Sequence, residues 1–524
     1  QNDIKILSKY RFKQDEAIKQ ENLEFVTFSR TLLLKRLKKT KENINKILSK
    51  PISFQESAII HLNPDNRDYP LNIYNKYYLW KHLLSLNVMN TYLELYQKKH
   101  PEFNKENLPK LDESLEKEAR DSVKKEALRQ ISRLESYDPH HFTTLWIDAF
   151  SNAHDPHTTY FPPEDKEDFD ISMTGQLEGI GALLSEEKGY IKVSRLIVGG
   201  AAWRQKGLEA EDIILKVAQN KKEPVSIVDL PLRKAVHLIR GKKNTLVHLT
   251  VKKPDNRIKT ISIKRDVIVI EESYAKGILI KSKDKKRSYG LISLPSFYRN
   301  FKNNKARNAT QDVESLLSYF NTKNIDGLII DVRNNGGGSL QDAIDITGQF
   351  IEKGPVLQVK QKSGQVNVLI DKDPSILFKG PMIVLINKLS GSASEILAAA
   401  LQDYNRAIIL GSPHSFGKGS VQTIFNLDQL TKNRWQKASD QELGSIKLTI
   451  QKFYRVNGAS TQYKGIHPDI IAPSLQDHLD IGEQNYDYAL PFSSVKQVEW
   501  TPWKPSYIKE DILSKSKERI RTST

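Results

Sequence analysis

Ser392 and Lys418 supply the two groups that acyl transfer needs, a hydroxyl to attack a carbonyl and an amine to take its proton. Ser392 follows closely on the apolar run M-I-V-L-I, Met382 to Ile386, whose length and composition predict a strand buried on both faces of a parallel sheet. The small residues Ser390 to Ser394 predict a turn, and Glu395 to Leu401, rich in Ala and Leu, predicts a helix. The serine therefore sits at the carboxyl end of a strand where a helix begins, the usual place for reacting groups in open α/β sheets. The first N–H groups of such a helix lack intrahelical partners and can bind a developing oxyanion. Lys418 lies between glycines in F-G-K-G, Phe416 to Gly419. To work as a base its amine must titrate about 3 units below the free value, roughly 4 kcal/mol that burial or a like charge must supply. Taken singly, such a serine reads as an N-cap and such a lysine as a solvated charge.

The shared context favours chemistry. S-G-S-A-S-E followed by A-A-A-x-Q-D-Y, then F-G-K-G-S-V-Q, resembles the catalytic region of the C-terminal processing peptidases, or tail-specific proteases. The resemblance implies Ser392 as nucleophile, Lys418 as base, Gln422 as the residue that orients the lysine, and Asp403 as a further member of the catalytic set. The loop S-P-H-S-F, Ser412 to Phe416, is one residue longer than the resemblance implies. Geometry separates the two helpers. Asp403 lies three helical turns past Ser392, roughly 16 Å along the axis, and suits distant support. Gln422, four residues past Lys418, shares a strand face with it at period two and suits orientation. A phosphate-binding reading of Gly411 to Lys418 fails, because five residues separate the glycines and Gly419 stands where Ser or Thr would hold a metal.

The chain has 524 residues, enough for three or four domains, and no cysteine, which excludes disulfides and thiolate metal sites. Its formal net charge of +17 is spread over many Lys-rich stretches without the basic and aromatic arrangement of a nucleic-acid binder. An ordinary solvated surface accounts for it better than an anionic envelope surface does. No apolar run approaches membrane-spanning length, and residue 1 onwards shows no secretory signal pattern.

The elements that must position the pair can be read along the chain. Leu33, Leu34, Leu37, Ile44, Ile47 and Leu48, and again Leu115, Ala119, Val123, Ala127, Ile131 and Leu134, form helical stripes, with a break over Pro101 to Pro109 that contains Asn104 and Asn107. His154, Asp155 and His157, in H-D-P-H-T-T-Y, could begin a metal site, but no further ligand cluster follows and a turn is the better reading. From Ser172 to Asp266 the pattern changes to short strands, among them Leu177 to Leu184, Val198 to Ala202 and Gly207 to Ile214, with a helix near Leu232 to Ile239. This stretch resembles a PDZ domain, which captures an extended C-terminus at a sheet edge. The resemblance implies that Gly179, Ile180 and Gly181 bind the tail's carboxylate; Glu211 stands where it implies a glycine in a left-handed turn. Tyr289 to Leu294 and Gly327 to Val332 predict strands, the second running into R-N-N-G-G-G-S, Arg333 to Ser339, and a helix to about Ile351. The loop lacks the spaced glycines and following acid of a dinucleotide site; the resemblance makes it an oxyanion donor, assigned to Gly337 beside the N–H of Ala393. Ile446 to Arg455 alternates as a strand, Asn457-Gly458 is a hairpin turn, and K-G-I-H-P-D-I, Lys464 to Ile470, resembles the end of the peptidase core.

These readings give an α+β multidomain chain with a helical N-terminal region over 1–150 and a PDZ domain over 172–266. An α/β Ser-Lys protease core of the crotonase-like, tail-specific type spans 267–475 with 151–171, and a C-terminal extension spans 476–524. The expected function is a serine endopeptidase that takes protein substrates by apolar C-termini, with no metal, organic cofactor or nucleic acid. The resemblance implies a periplasmic or otherwise extracytoplasmic bacterial setting, and leaves room for an adaptor protein and for peripheral association with the envelope. Two rivals are a catalytically silent PDZ scaffold and an acyl-CoA enzyme of the crotonase type, which would leave Lys418 and the PDZ segment idle.

Overall fold

The computed structural model describes residues 2–54, 59–63, 67, 70–103, 111–303, 305–431 and 442–522. The chain divides into two compact units, Gln1–Trp146 with Gly179–Asp266, and Ile147–Glu178 with Val267–Thr524.

The first unit contains three long helices, α1 (Glu24–Ile47), α2 (Ile73–Lys99) and α3 (Glu113–Glu135). The side chains of Asn72 and Asp112 accept the free N–H groups that open α2 and α3. Leu37, Ile44 and Leu48 pack with Leu84, Val88 and Tyr92 and with Leu115, Ala119, Val123 and Ile131. The stripes read from the sequence thus face one core, although Leu33 and Leu134 remain exposed. The helices break between Lys99 and Glu113; Asn104, Asn107 and Pro109 lie outside the described residues.

The same unit holds a sheet in the order β1 (Ala182–Glu187), β2 (Tyr190–Leu196), β3 (Ile213–Gln219), β4 (Leu246–Lys252), β5 (Ile258–Lys264), with α4 (Leu232–Ile239) beside it. Ile191, Val193, Ile214, Val217, Val247 and Leu249 fill its core. Val198 to Ala202 is not a strand: Gly199 turns at φ +76° and a short helix starts at Ala201. Glu211 does take up the left-handed turn, at φ 72°, with its N–H donated to the carbonyl of Val193 at 2.8 Å. A non-glycine residue in that conformation costs about 1–2 kcal/mol, which the buried Asp212 next to it, bonded to Lys253 at 2.9 Å, helps to offset.

In the second unit, in chain order, come β6 (Lys276–Lys281), β7 (Ser288–Ser293), α5 (Ala309–Thr322), β8 (Gly327–Asp331) and α6 (Leu340–Gly348). They are followed by β9 (Gly354–Gln361), β10 (Val366–Asp371), β11 (Met382–Ile386), α7 (Ala393–Asp403) and β12 (Ile408–Gly411). The last strands are β13 (Ser420–Asn426), β14 (Ser445–Tyr454) and β15 (Ile470–Ile471), and α8 (Lys509–Thr522) ends the chain. One sheet has the order β6-β7-β8-β11-β12-β15, antiparallel at β6 and parallel elsewhere. In β11, Met382, Val384 and Ile386 are buried while Ile383 and Leu385 are only partly so. This strand is therefore fully buried on one face and partly covered on the other. A second sheet runs from the short strand Thr159–Phe161 through β14 and β9 to β10, with β13 also on β14. Within 476–524 the chain crosses the core as a strap. Val495 and Val498 donate to the carbonyls of Gly458 and Val456, and Trp503 to that of Tyr404.

Candidate active site

The turn between β11 and α7 is stitched to the glycine-rich loop that follows β8. Ser390 Oγ donates to the carbonyl of Val332 at 2.8 Å, Gly391 N–H to that of Asn335 at 3.0 Å, and Ser394 Oγ to the same carbonyl at 2.8 Å. Held this way, Ser392 is the N-cap of α7 at φ 54°, ψ −112°, a conformation costing on the order of 1–3 kcal/mol. Strain of this kind, on a serine at a sharp strand-to-helix turn, is how hydrolase folds push a nucleophile out of the backbone's shelter. The N–H of Ala393, first in the helix, has no acceptor among the described residues.

Gly337 sits against the serine so closely that a Cβ there would meet Ser392 Cβ at 2.8 Å, and its φ is +111°. Its N–H, the expected oxyanion donor, is already donated to Asn335 Oδ1 at 2.9 Å. Phe297 N–H goes to the carbonyl of Gly337 and Ser339 N–H to that of Phe297. This parallel bridge leaves the N–H of Gly338 directed the other way.

A residue to which the sequence reading gave no role joins the two halves of the site. Glu395, one turn into α7 and fully buried, accepts the N–H of Ser392 at 2.7 Å and that of Lys418 at 3.0 Å on Oε2. On Oε1 it accepts Ser415 Oγ at 2.5 Å and Gly417 N–H at 2.8 Å. A single oxygen thus holds the backbone of the serine and that of the lysine side by side. Burial pushes the Glu395 carboxyl up to about 7, against the four hydrogen bonds that favour its charge. Its signal was present in the sequence: Ser392-x-x-Glu395 has capping-box spacing.

Burial, helped by the like charge of Lys447, brings Lys418 down to about 8. Glu483, Glu395 and Asp155 act on it in the opposite sense, yet among the described residues none forms an ion pair with its amine. Gly419 N–H donates to Gln462 Oε1 at 2.8 Å, Gln462 Nε2 to Glu483 Oε1 at 2.8 Å, and the other oxygen of Glu483 meets His157 Nε2 at 2.8 Å. Glu483, wholly buried, comes from the extension that the sequence left without a role.

Among the described residues no hydrogen bond joins Gln422 to Lys418. β13 begins only at Ser420, and Gln422 Nε2 donates to Ser420 Oγ at 2.9 Å and Thr449 Oγ1 at 3.1 Å. Thr449 Oγ1 donates in turn to Asp155, as does Thr158 Oγ1. Burial opposes the charge of Asp155, but these bonds outweigh it and hold the carboxyl below its ordinary range. Asp155 and His157 are therefore turn and bracing residues. At the far end of α7, Asp403 grips Arg455 at 2.6 and 3.0 Å and Asn457 at 3.0 Å, which anchors the hairpin after β14.

In the first unit, Gly179, Ile180 and Gly181 precede β1. The carbonyl of Ile180 accepts Ala202 N–H at 2.7 Å and that of Gly181 accepts Ile197 N–H at 2.9 Å. Gly181 is at φ +77°, and the N–H groups of Ile180 and Gly181 have no acceptor among the described residues.

Residues 288–472 match the model of Peptidase family S41, residues 1–164 the Tail specific protease N-terminal domain, and residues 169–252 the PDZ domain. The chain is 36% identical over 381 residues to the Tail-specific protease of Haemophilus influenzae, covering 71% of this chain and 51% of that protein. It is 34% identical over 319 residues to the Carboxy-terminal processing protease CtpA of Bacillus subtilis, covering 61% of each. To the Carboxy-terminal-processing protease of Bartonella bacilliformis it is 32% identical over 345 residues, covering 65% of this chain and 71% of the relative. The chain thus spans about half the length of the first of these and three-fifths of the second.

Proposed function

Since the chain belongs to peptidase family S41, the tail-specific or carboxy-terminal processing proteases, we propose that it is a serine endopeptidase working through Ser392 and Lys418. Its PDZ domain would select protein substrates by apolar C-terminal tails. Ser392 Oγ attacks the scissile carbonyl as the neutral Lys418 amine removes its proton, and the lysine returns that proton to the leaving amine. The N–H of Ala393 holds the oxyanion from one side. Gly338, whose N–H the Phe297 bridge leaves uncommitted, serves from the other in place of Gly337. Water then releases the acyl group with the lysine again as base. The N–H groups of Ile180 and Gly181 take the tail's carboxylate. By the same family likeness, the work is done in an extracytoplasmic bacterial compartment.

The observation that carries this reading is the shared Glu395 oxygen that binds the serine and lysine backbones together. Incubation of a protein bearing an apolar C-terminus with wild type and with Ser392→Ala, followed by intact mass, tests it. Fragments with wild type alone are expected. Equal inertness of both, with the tail still bound, would leave a PDZ scaffold and no enzyme.

A further inference from the structure

β13 is an edge strand. Among the described residues it pairs with β14 alone, over Ser420↔Lys452 to Asn426↔Ser445. Which of its backbone groups face outward follows from two hydrogen bonds. Leu427 N–H donates to the carbonyl of Gly444, which makes Asn426↔Ser445 a pair without mutual hydrogen bonds, and alternation extends that to Ile424↔Lys447 and Gln422↔Thr449. Phe453 N–H donates to the carbonyl of Gly419, and so Ser420↔Lys452 is of the same kind. The register shift is absorbed by an extra residue of β14, Ile450, so β13 keeps its own alternation throughout. The N–H and C=O of Gln422 and Ile424 and the N–H of Asn426 therefore point away from β14, with the groups of the buried Ser420 at the closed end; the C=O of Asn426 opens the helix that starts at Leu427.

Edges of this kind are normally defended by charge or proline. The sequence S-V-Q-T-I-F-N has neither, in a chain that is 27% charged. It also begins two residues past Lys418, so a strand added along it is carried past the catalytic amine.

We propose that the outer edge of β13 receives the substrate's own backbone as an added strand, which lays the scissile segment beside Ser392 and Lys418. This deepens the protease reading and rests on it. The occupant is an extended stretch of polypeptide of any sequence that can adopt β conformation. The outward groups recur every second residue, roughly 7 Å apart, so the three open positions engage about five substrate residues. Recognition through main-chain groups leaves selection to side-chain pockets and to the PDZ domain.

The test uses wild type and a cleavable peptide in which one backbone nitrogen at a time is methylated. A net hydrogen bond of about 1–1.5 kcal/mol predicts losses of kcat/KM of roughly five- to tenfold at alternate residues on one side of the cut, with near-normal cleavage between them. Uniform tolerance, or losses at consecutive residues without alternation, overturns the proposal. Failure to cut the unmethylated parent removes the protease reading and this inference with it. A second arm is Ile424→Pro, which deletes an outward N–H and leaves the ladder to β14 intact. KM should rise at least fivefold for long peptides; an unchanged KM in the folded variant contradicts the assignment. If the variant does not fold, the methylation series decides.

Discussion

Replacing Glu395 by Gln should unfasten the serine from the lysine while sparing the fold. The carboxylate takes Ser392 and Lys418 N–H on one oxygen and Ser415 and Gly417 on the other. An amide keeps a single acceptor oxygen, so one pair of donors must face an NH2 group. Bonds to a charged acceptor are each worth about 1.5–3 kcal/mol, so at least 3 kcal/mol or so of fastening is lost, equivalent to about 100-fold in kcat/KM if it falls on the transition state. A protein of ordinary stability survives that loss, whereas Glu395→Ala strands four buried donors and should fail to accumulate as folded protein. The pH profile distinguishes fastening from mere damage. In wild type, Glu395 must be ionised, with its carboxyl at about 7, and Lys418 neutral, at about 8. The acid limb of log kcat/KM should therefore approach slope 2. In Glu395→Gln it should fall to slope 1 and move toward lower pH, because the lost carboxylate had been raising the lysine. Peptide cleavage from pH 5 to 10, with thermal melts alongside, measures both. A variant within threefold of wild type and with an unaltered profile would refute the role given to Glu395.

Lys447→Gln removes the like charge that lowers Lys418, so the acid limb of the wild-type profile should shift to higher pH; a shift the other way, read by the same titration, would place Lys447 elsewhere in the electrostatics. Gly337→Ala puts a methyl 2.8 Å from Ser392 Cβ at a φ of +111°; at about 1–3 kcal/mol of strain, it should cut kcat by tenfold or more with little change in KM. Asp403→Ala breaks a largely buried pair with Arg455, a loss of about 3–5 kcal/mol that should appear as a lower melting temperature with the pH profile kept.

Local pattern was legible wherever burial alone writes it. The run Met382 to Ile386 is a strand with those bounds, and Leu232 to Ile239 a helix with those bounds. Turn chemistry was legible at Asn457-Gly458, where Gly458 adopts φ +90°, and the strained start of α7 falls where the small residues predicted a turn. Less was visible of whatever depends on distant parts of the chain meeting. Glu483 reaches His157 across 326 residues, and nothing in the polar extension marks it as buried. The bonds that Gln422 makes to Ser420 and Thr449 depend on where β14 lies, and no periodicity argument shows that. The capture of the Gly337 N–H by the Asn335 side chain has no sequence signature separate from its loop.

The central claim is that Lys418 is the base for Ser392, and acylation by an activated ester measures it directly. Intact mass should show one acyl group on Ser392, formed at a rate that rises with pH through a midpoint near 8, and no adduct on Lys418→Ala over the same time. Acylation of Ser392 at an unchanged rate in Lys418→Ala would contradict the account.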